Sequence, residues 1–181
     1  GGAAADRLTF VADPFLVPSR DALRHEPDAL VVVADGRIAA FGPAAEWLPA
    51  LPPAVPVTRY DDALIVPGFI DAHVHYPQLP IVAAYGRTLL DWLDDYTYVA
   101  EQRFADPAFA AAVAEAFLDE SLRQGTTTAM VYGSVHAASV DALFAAAEAR
   151  GMRDIAGKVL MDRNAPADLI DDVATGEREM E

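Results

Sequence analysis

The chain has 181 residues, enough for one good core or for one domain and part of another. An apolar share of 53% without low-complexity runs describes a globular polymer, and the absence of cysteine excludes disulfides, thiolate metal sites and the zinc centre of cytidine deaminases. Thirteen basic against 28 acidic side chains give a formal charge of −15, which repels a phosphate backbone and sets nucleic acid aside as a partner.

The first residues, GGAAADRLTF, show no basic segment followed by an apolar one, and no stretch approaches the roughly 18 uninterrupted apolar residues of a membrane helix. The expectation is a soluble cytoplasmic protein with no membrane partner. From Leu8 to about Val66 the punctuation is that of short strands. Arg7 to Val17 reads as an extended segment broken at Asp13-Pro14. Ala29 to Phe41 predicts a hairpin, with Asp35-Gly36 as its turn. Pro43 to Leu48 predicts one helical turn, and the prolines of Leu51 to Val57 keep that connection out of a helix. His25 falls in the polar run RHEP and is expected in an exposed loop.

After Val66 the rhythm changes to strand, helix, strand, helix, strand. The stretch Pro67 to Gln78, PGFIDAHVHYPQ, predicts a strand closing on His73 and His75. Thr88 to Phe104 is expected to be helical. Asp106 as cap, Pro107 in the first turn and Phe109, Val113 and Phe117 at helical spacing predict a helix that ends before Gly125. Thr126 to Tyr132 predicts a second strand. Ser139 is expected to cap a second helix stopped by Gly151, and Ile155 to Met161 to form a third strand. Alternating βα units of this length predict a parallel sheet with helices packed outside it. There is no internal repeat.

Side chains two apart on an extended chain point the same way, so His73 and His75 share a face near a strand's C-terminal end, with Phe69 and Asp71 behind them. Two imidazoles so placed can converge on one ion. For an isolated pair of histidines the commoner arrangement is one packed and one solvated. A catalytic zinc needs about three protein ligands and a water, so two histidines are an unfinished site.

A small β segment followed by PGFIDAHVH and a βα series resembles the amidohydrolase superfamily, whose members have a distorted (β/α)8 barrel flanked by a small β-sandwich. HVHYPQ, LLDWLDDYTYVAE, QGTTTAMVYGSVH and GKVLMDRN occur with the order and approximate spacing of its guanine deaminase branch, a resemblance that runs from about Ala29 to Pro166. It implies an α/β fold: residues 1–66 are the N-terminal strands of a small β-sandwich domain and 67–181 the first three βα units of an incomplete (β/α)8 barrel.

By the same resemblance His73 and His75 are metal ligands, Gln78 hydrogen-bonds a purine, and Trp92 and Leu93 line the purine pocket. The cofactor implied is one Zn²⁺ per subunit, although imidazole and carboxylate ligands suit Fe²⁺ as well. The implied reaction is hydrolysis of guanine to xanthine and ammonia in purine catabolism, by a homodimer. No catalytic residue is expected in this segment, because the general base, the remaining metal ligands and a base-contacting arginine lie on later strands. An eight-stranded barrel takes about 250 residues, more than twice the length of chain after Val66. The chain is therefore expected to be an N-terminal fragment that by itself neither holds zinc tightly nor turns over guanine.

His136 is expected at a strand end or a helix start and is not assigned as a ligand. Lys158, the single lysine, invites comparison with the carboxylated lysine of some amidohydrolases, but that residue belongs to a fourth strand and Lys158 falls on the third. Asp162 in MDRN has a family counterpart without an evident chemical role, and Arg163 or Asn164 are its expected partners. Tyr96 and Tyr98 receive no role. The competing readings are another amidohydrolase, acting on cytosine, a triazine or an imidazolone, and a non-catalytic scaffold subunit.

Overall fold

The structure, a computed structural model, describes residues 7–179. It divides into two compact units, with the boundary between Pro67 and Gly68.

The first unit is a five-stranded sheet. Its strands are β1 (Arg7–Ser19), β2 (Ala22–His25), β3 (Ala29–Ala34), β4 (Arg37–Pro43) and β5 (Val57–Ile65). β1 pairs antiparallel with β2 and β3 and parallel with β5, and β3 pairs with β4. Asp35 and Gly36 both have positive φ, 51° and 69°, the geometry that lets a two-residue turn follow the twist of the hairpin it closes. Val11, Leu30 and Val32 are buried against the short helix α1 (Ala44–Trp47).

Two expectations are corrected in this unit. β1 is not broken at Asp13-Pro14 but runs through it. Pairing with β3 ends at Ala12, so the N–H that Pro14 lacks is not needed by that ladder. The register with β5 shifts between Val11 and Asp13 to take up the distortion. His25 is exposed, as expected, but ends strand β2 instead of lying in a loop, because the far half of β1 templates that strand.

The second unit carries a three-stranded parallel sheet in the order β6 (Phe69–His75), β7 (Thr126–Tyr132), β8 (Arg153–Gly157). Gly68 introduces β6 at a point where any Cβ would collide with the Thr127 side chain, so only glycine lets the two strands close up here. Helix α4 (Pro107–Arg123) crosses from β6 to β7 and α5 (Ala137–Arg150) from β7 to β8. The Asp106 side chain accepts from Ala108 N–H at 2.9 Å and caps α4, and Gly151 in the left-handed conformation ends α5. Ala129 and Val131 of β7 are buried with Val113, Phe117, Leu118 and Leu143 of the two helices. On the other face of the sheet Ile70, Met130, Tyr132 and Ile155 are exposed, so apolar packing covers one side only.

Between β6 and α4 the chain folds as a tight 3₁₀ segment, Tyr76–Ile81, and then as a continuous helical stretch: α2 (Leu89–Trp92), a π-helical turn Leu93–Thr97 and α3 (Tyr98–Gln102). Thr88 caps it by accepting from Asp91 N–H at 3.1 Å. The π turn adds a residue and rotates the faces of α2 and α3 against each other.

Ser139 does not cap α5. The helix begins two residues earlier, with His136 at the cap position, and the Ser139 hydroxyl donates to His136 O at 2.7 Å while accepting from Ser134 N–H at 3.0 Å. The third strand is Arg153–Gly157, shifted towards the N-terminus, because its partner Tyr132 ends β7 and pairs with Gly157. Lys158 therefore follows the strand.

Candidate functional site

The site is built at the C-terminal end of β6. The pairing with β7 is irregular there: Asp71 faces Ala129 and Val74 faces Val131, so Ala72 and His73 together stand against Met130 alone. This bulge corrects the expectation of a plain period-two strand, in which Asp71 would simply lie behind His73. The Asp71 side chain instead turns back to accept from His73 N–H at 3.0 Å. Bulges re-aim the side chains that follow them. The result is that the His73 and His75 ring centroids lie 5.4 Å apart, and Tyr132 of β7 touches both, at 4.9 and 4.6 Å.

His73, His75, Gln78 and Trp92 line one cleft of about 490 Å³, with Leu79 and Phe117 in its apolar wall. Gln78 is delivered by the 3₁₀ segment directly after the strand. That segment is anchored by Tyr76, which is fully buried, packs edge-on to Phe104 at 5.3 Å and donates its hydroxyl to Ser139 O at 2.5 Å. Trp92 reaches the cleft from the end of α2. Leu93 opens the π turn, is half-buried and is not among the lining residues.

Burial, and secondarily the neighbouring His73, lower the pKa of His75 and favour its neutral form, the one able to bind a metal. Its Nδ1 is buried with no hydrogen-bond partner. The donor set therefore fits an ion that takes imidazole nitrogen, and it is incomplete: among the described residues no three His, Cys, Asp or Glu are grouped to hold a metal.

A residue that sequence reasoning missed stands behind this cleft. Glu101 of α3 is 4% exposed, and α3 packs against the 3₁₀ segment that carries Gln78. Burial raises its pKa to about 7, and the nearby Gln78 amide opposes that rise. The signal in the sequence was a glutamate on the apolar face of an otherwise core-facing turn, next to Ala100 and three residues before Phe104.

Other singled-out residues lie elsewhere. His136 lines a separate cavity with Asp168, Asp171 and Glu179, and burial lowers its pKa. Lys158 is buried in ion pairs with Asp171, at 2.7 Å, and Glu179. Asp162 is exposed and accepts from Arg163 Nε at 3.0 Å. Tyr98 donates to Asn164 O at 3.2 Å, tying α3 to the segment after β8.

Two histidines, an amide and an indole thus gather in one cleft at the C-terminal end of the first strand of a parallel βα sheet, the end at which such folds carry their chemistry. The model of the amidohydrolase family matches residues 64–181, and the chain belongs to that family. It is 47% identical over 150 residues to a guanine deaminase of Escherichia coli K12, an alignment covering 83% of this chain and 34% of that protein. Among solved structures it resembles a guanine deaminase from Bradyrhizobium japonicum, with TM-score 0.83 and 36% identity over 96% of this chain and 39% of the other. It also resembles a guanine deaminase from C. acetobutylicum with guanine bound in the active site, with TM-score 0.77 and 26% identity over 96% and 41% of the two chains. The chain spans about a third of the length of the curated relatives it matches. Among the described residues no helix is long and apolar enough to cross a membrane.

Proposed function

We propose that this chain supplies the first part of a zinc-dependent guanine deaminase, which converts guanine and water into xanthine and ammonia. The observation that carries the reading is one cleft shared by His73, His75, Gln78 and Trp92. Its residues are of the types needed to hold a cation and a flat, hydrogen-bonding base next to each other. Two relatives of known structure are guanine deaminases, one with guanine in its active site.

In this reading His73 and His75 are two of the metal's ligands, and Zn²⁺ is the ion proposed. When bound, zinc makes a water acidic enough to serve as nucleophile near neutral pH. The chain's own work is to bind and orient. Trp92 offers its indole to the face of the purine, a contact worth on the order of 1 to 3 kcal/mol. Gln78 offers a carboxamide to the purine's polar edge. Leu79 and Phe117 wall the cleft with apolar surface, which limits water around the reacting carbon. Leu93, half-buried and next in the chain, is read as part of the apolar lining of the purine pocket in the complete protein. The general base and the remaining ligands belong to strands outside this sequence, so the sheet β6–β8 is read as the start of a (β/α)8 barrel and the five-stranded sheet as part of a flanking β-sandwich, with the domains at 1–66 and 67–181. The exposed apolar face bearing Ile70, Met130 and Ile155 supports that view, since parallel sheets are normally covered on both faces. A cytoplasmic homodimer active in purine catabolism completes the reading.

The test is ammonia release from guanine by the complete gene product loaded with zinc. Turnover of guanine, abolished by His73→Ala or His75→Ala, is expected. Turnover of cytosine or a triazine in preference to guanine, or a well-folded product that takes up no metal, overturns the proposal.

A further inference from the structure

One wall of the cleft is formed by residues 81–84, which line it together with Trp92. The small residues of this loop stand where backbone conformation alone would not put them. Ala83 has φ 66°, in the left-handed region that glycine enters freely and an alanine enters against its own Cβ. A residue so strained persists only where its surroundings over-determine it. Three residues later Gly86 is not left-handed, so its conformation does not call for glycine.

Space explains Gly86. A Cβ at that position would fall on the Cβ of Trp92 and lie 2.9 Å from its Cα and 3.0 Å from its N. These are the backbone of Trp92 and the first atom of its side chain, so no rotation of the indole relieves the collision. The loop therefore rests directly on the stem of the tryptophan, an approach open to glycine alone. Just beyond it Thr88 caps α2 and its carbonyl accepts from Trp92 N–H at 3.0 Å. α2 is a single turn, Leu89–Trp92, with little stability of its own, so its place is set by what packs against it. The exposed charges of Arg87 and Asp91, 4.0 Å apart, add little.

We infer that the loop 81–86 is a brace that positions the indole of Trp92 in the cleft, with Gly86 as the positioning residue at the point of contact and the left-handed Ala83 as the bend that keeps the loop in place. The inference rests on the purine reading of the cleft and deepens it: how well a flat base stacks on Trp92 is decided by the loop as well as by the ring itself.

The experiment compares wild type, Gly86→Ala, Trp92→Ala and the double variant of the complete zinc-loaded gene product, with guanine as substrate. Gly86→Ala forces loop and helix apart and is expected to raise KM about tenfold, the lower end of a lost base stack, while kcat stays within about threefold. In the Trp92→Ala background the same substitution is expected to change KM less than about twofold, because the ring it positions is gone. An unchanged KM in Gly86→Ala, or an equal penalty in both backgrounds, overturns the brace. Zinc content is expected to match wild type, and its loss would mean that the whole cleft has collapsed, which overturns the selective role of Gly86. Should Gly86→Ala fail to fold, Ala83→Gly takes its place. It relieves the left-handed strain and frees the loop, and it is expected to raise KM about threefold in wild type and not in Trp92→Ala. An unchanged KM there overturns the brace.

A readout independent of turnover is ¹⁹F NMR of the protein labelled with 5-fluorotryptophan, in which the Trp92 resonance is the one lost in Trp92→Phe. That resonance is expected to move in Gly86→Ala and to broaden in Ala83→Gly. A resonance unchanged in both overturns the brace even in an enzyme that deaminates guanine. A moved resonance in a protein that turns over no guanine supports the brace and removes the functional reading alone.

Discussion

The imidazole of His75 lies flat against the phenol of Tyr132, with ring centroids 4.6 Å apart and planes 12° from parallel. The two residues are register partners across β6 and β7, so strand pairing itself sets the stack. Tyr132 also meets His73 at 4.9 Å and thereby limits the freedom of both rings. An aromatic pair of this kind is worth about 0.5 to 1.5 kcal/mol. If His73 and His75 hold zinc as proposed, Tyr132→Ala weakens zinc binding by the complete gene product by up to about tenfold, while Tyr132→Phe leaves it unaltered. Competition against a chromophoric chelator measures both. Equal affinity in wild type and Tyr132→Ala would show that the rings are ordered without the tyrosine.

Trp92 is half-buried at the end of α2 and borders the same cleft. If its indole carries the purine face, Trp92→Ala raises KM for guanine by roughly 10- to 100-fold, and Trp92→Phe by much less. Steady-state kinetics decide, and a Trp92→Ala enzyme with wild-type KM removes the stacking assignment.

Glu101 links stability to pH. Its folded pKa, about 7, stands above the ordinary carboxylate value of 4.5. Between those two pH values the folded state binds more protons than the unfolded state, so stability falls as pH rises through the interval. The loss contributed by this one group is up to about 3 kcal/mol. Thermal unfolding from pH 4.5 to 8 is expected to show a downward slope in wild type that is reduced in Glu101→Gln. Parallel profiles for the two proteins would contradict a buried, protonatable Glu101.

The Lys158 side chain is 3% exposed and its ammonium is held by Asp171 and Glu179. Burial alone would lower its pKa, but the two carboxylates outweigh burial and raise it, so the lysine stays charged. Lys158→Met leaves Asp171 buried without its counterion and is expected to cost about 3 to 5 kcal/mol. The double variant Lys158→Met, Asp171→Leu is expected to recover much of that. Chemical denaturation of the three proteins measures the coupling, and a single variant as stable as wild type would show the ion pair to be dispensable.

The two histidines are short of a complete metal site, and no third ligand is grouped with them among the described residues. These 181 residues, expressed by themselves, are expected to release no ammonia from guanine and to lose zinc on gel filtration. Metal-dependent turnover by this polypeptide would contradict the incomplete site.

Much of the second unit was legible in the sequence because its signals are local. Asp106-Pro107 caps α4, Gly151 ends α5, and the β-branched run Thr126 to Tyr132 becomes β7. That His73 and His75 meet at one strand end could be read from their spacing. Ser139 misled because a serine before an apolar run reads as a cap, while the hydrogen-bond partner it finds, Ser134 N–H, lies in the preceding loop. Asp13-Pro14 misled because a proline breaks a ladder only where its N–H is needed, and that depends on which strand lies alongside.

The amino-acid order by itself determined the alternation of strands and helices after Val66, the two imidazoles one residue apart and the lack of thiolate ligands, because each follows from residue type and near-neighbour spacing. Tertiary structure alone decided the bulge at Ala72 and His73, the stacking of Tyr132 on His75 and the burial of Glu101. The first two arise when β6 pairs with β7, and the third when α3 folds back beside the segment after β6. Each brings together residues far apart in the chain, and no local pattern records which of them will meet.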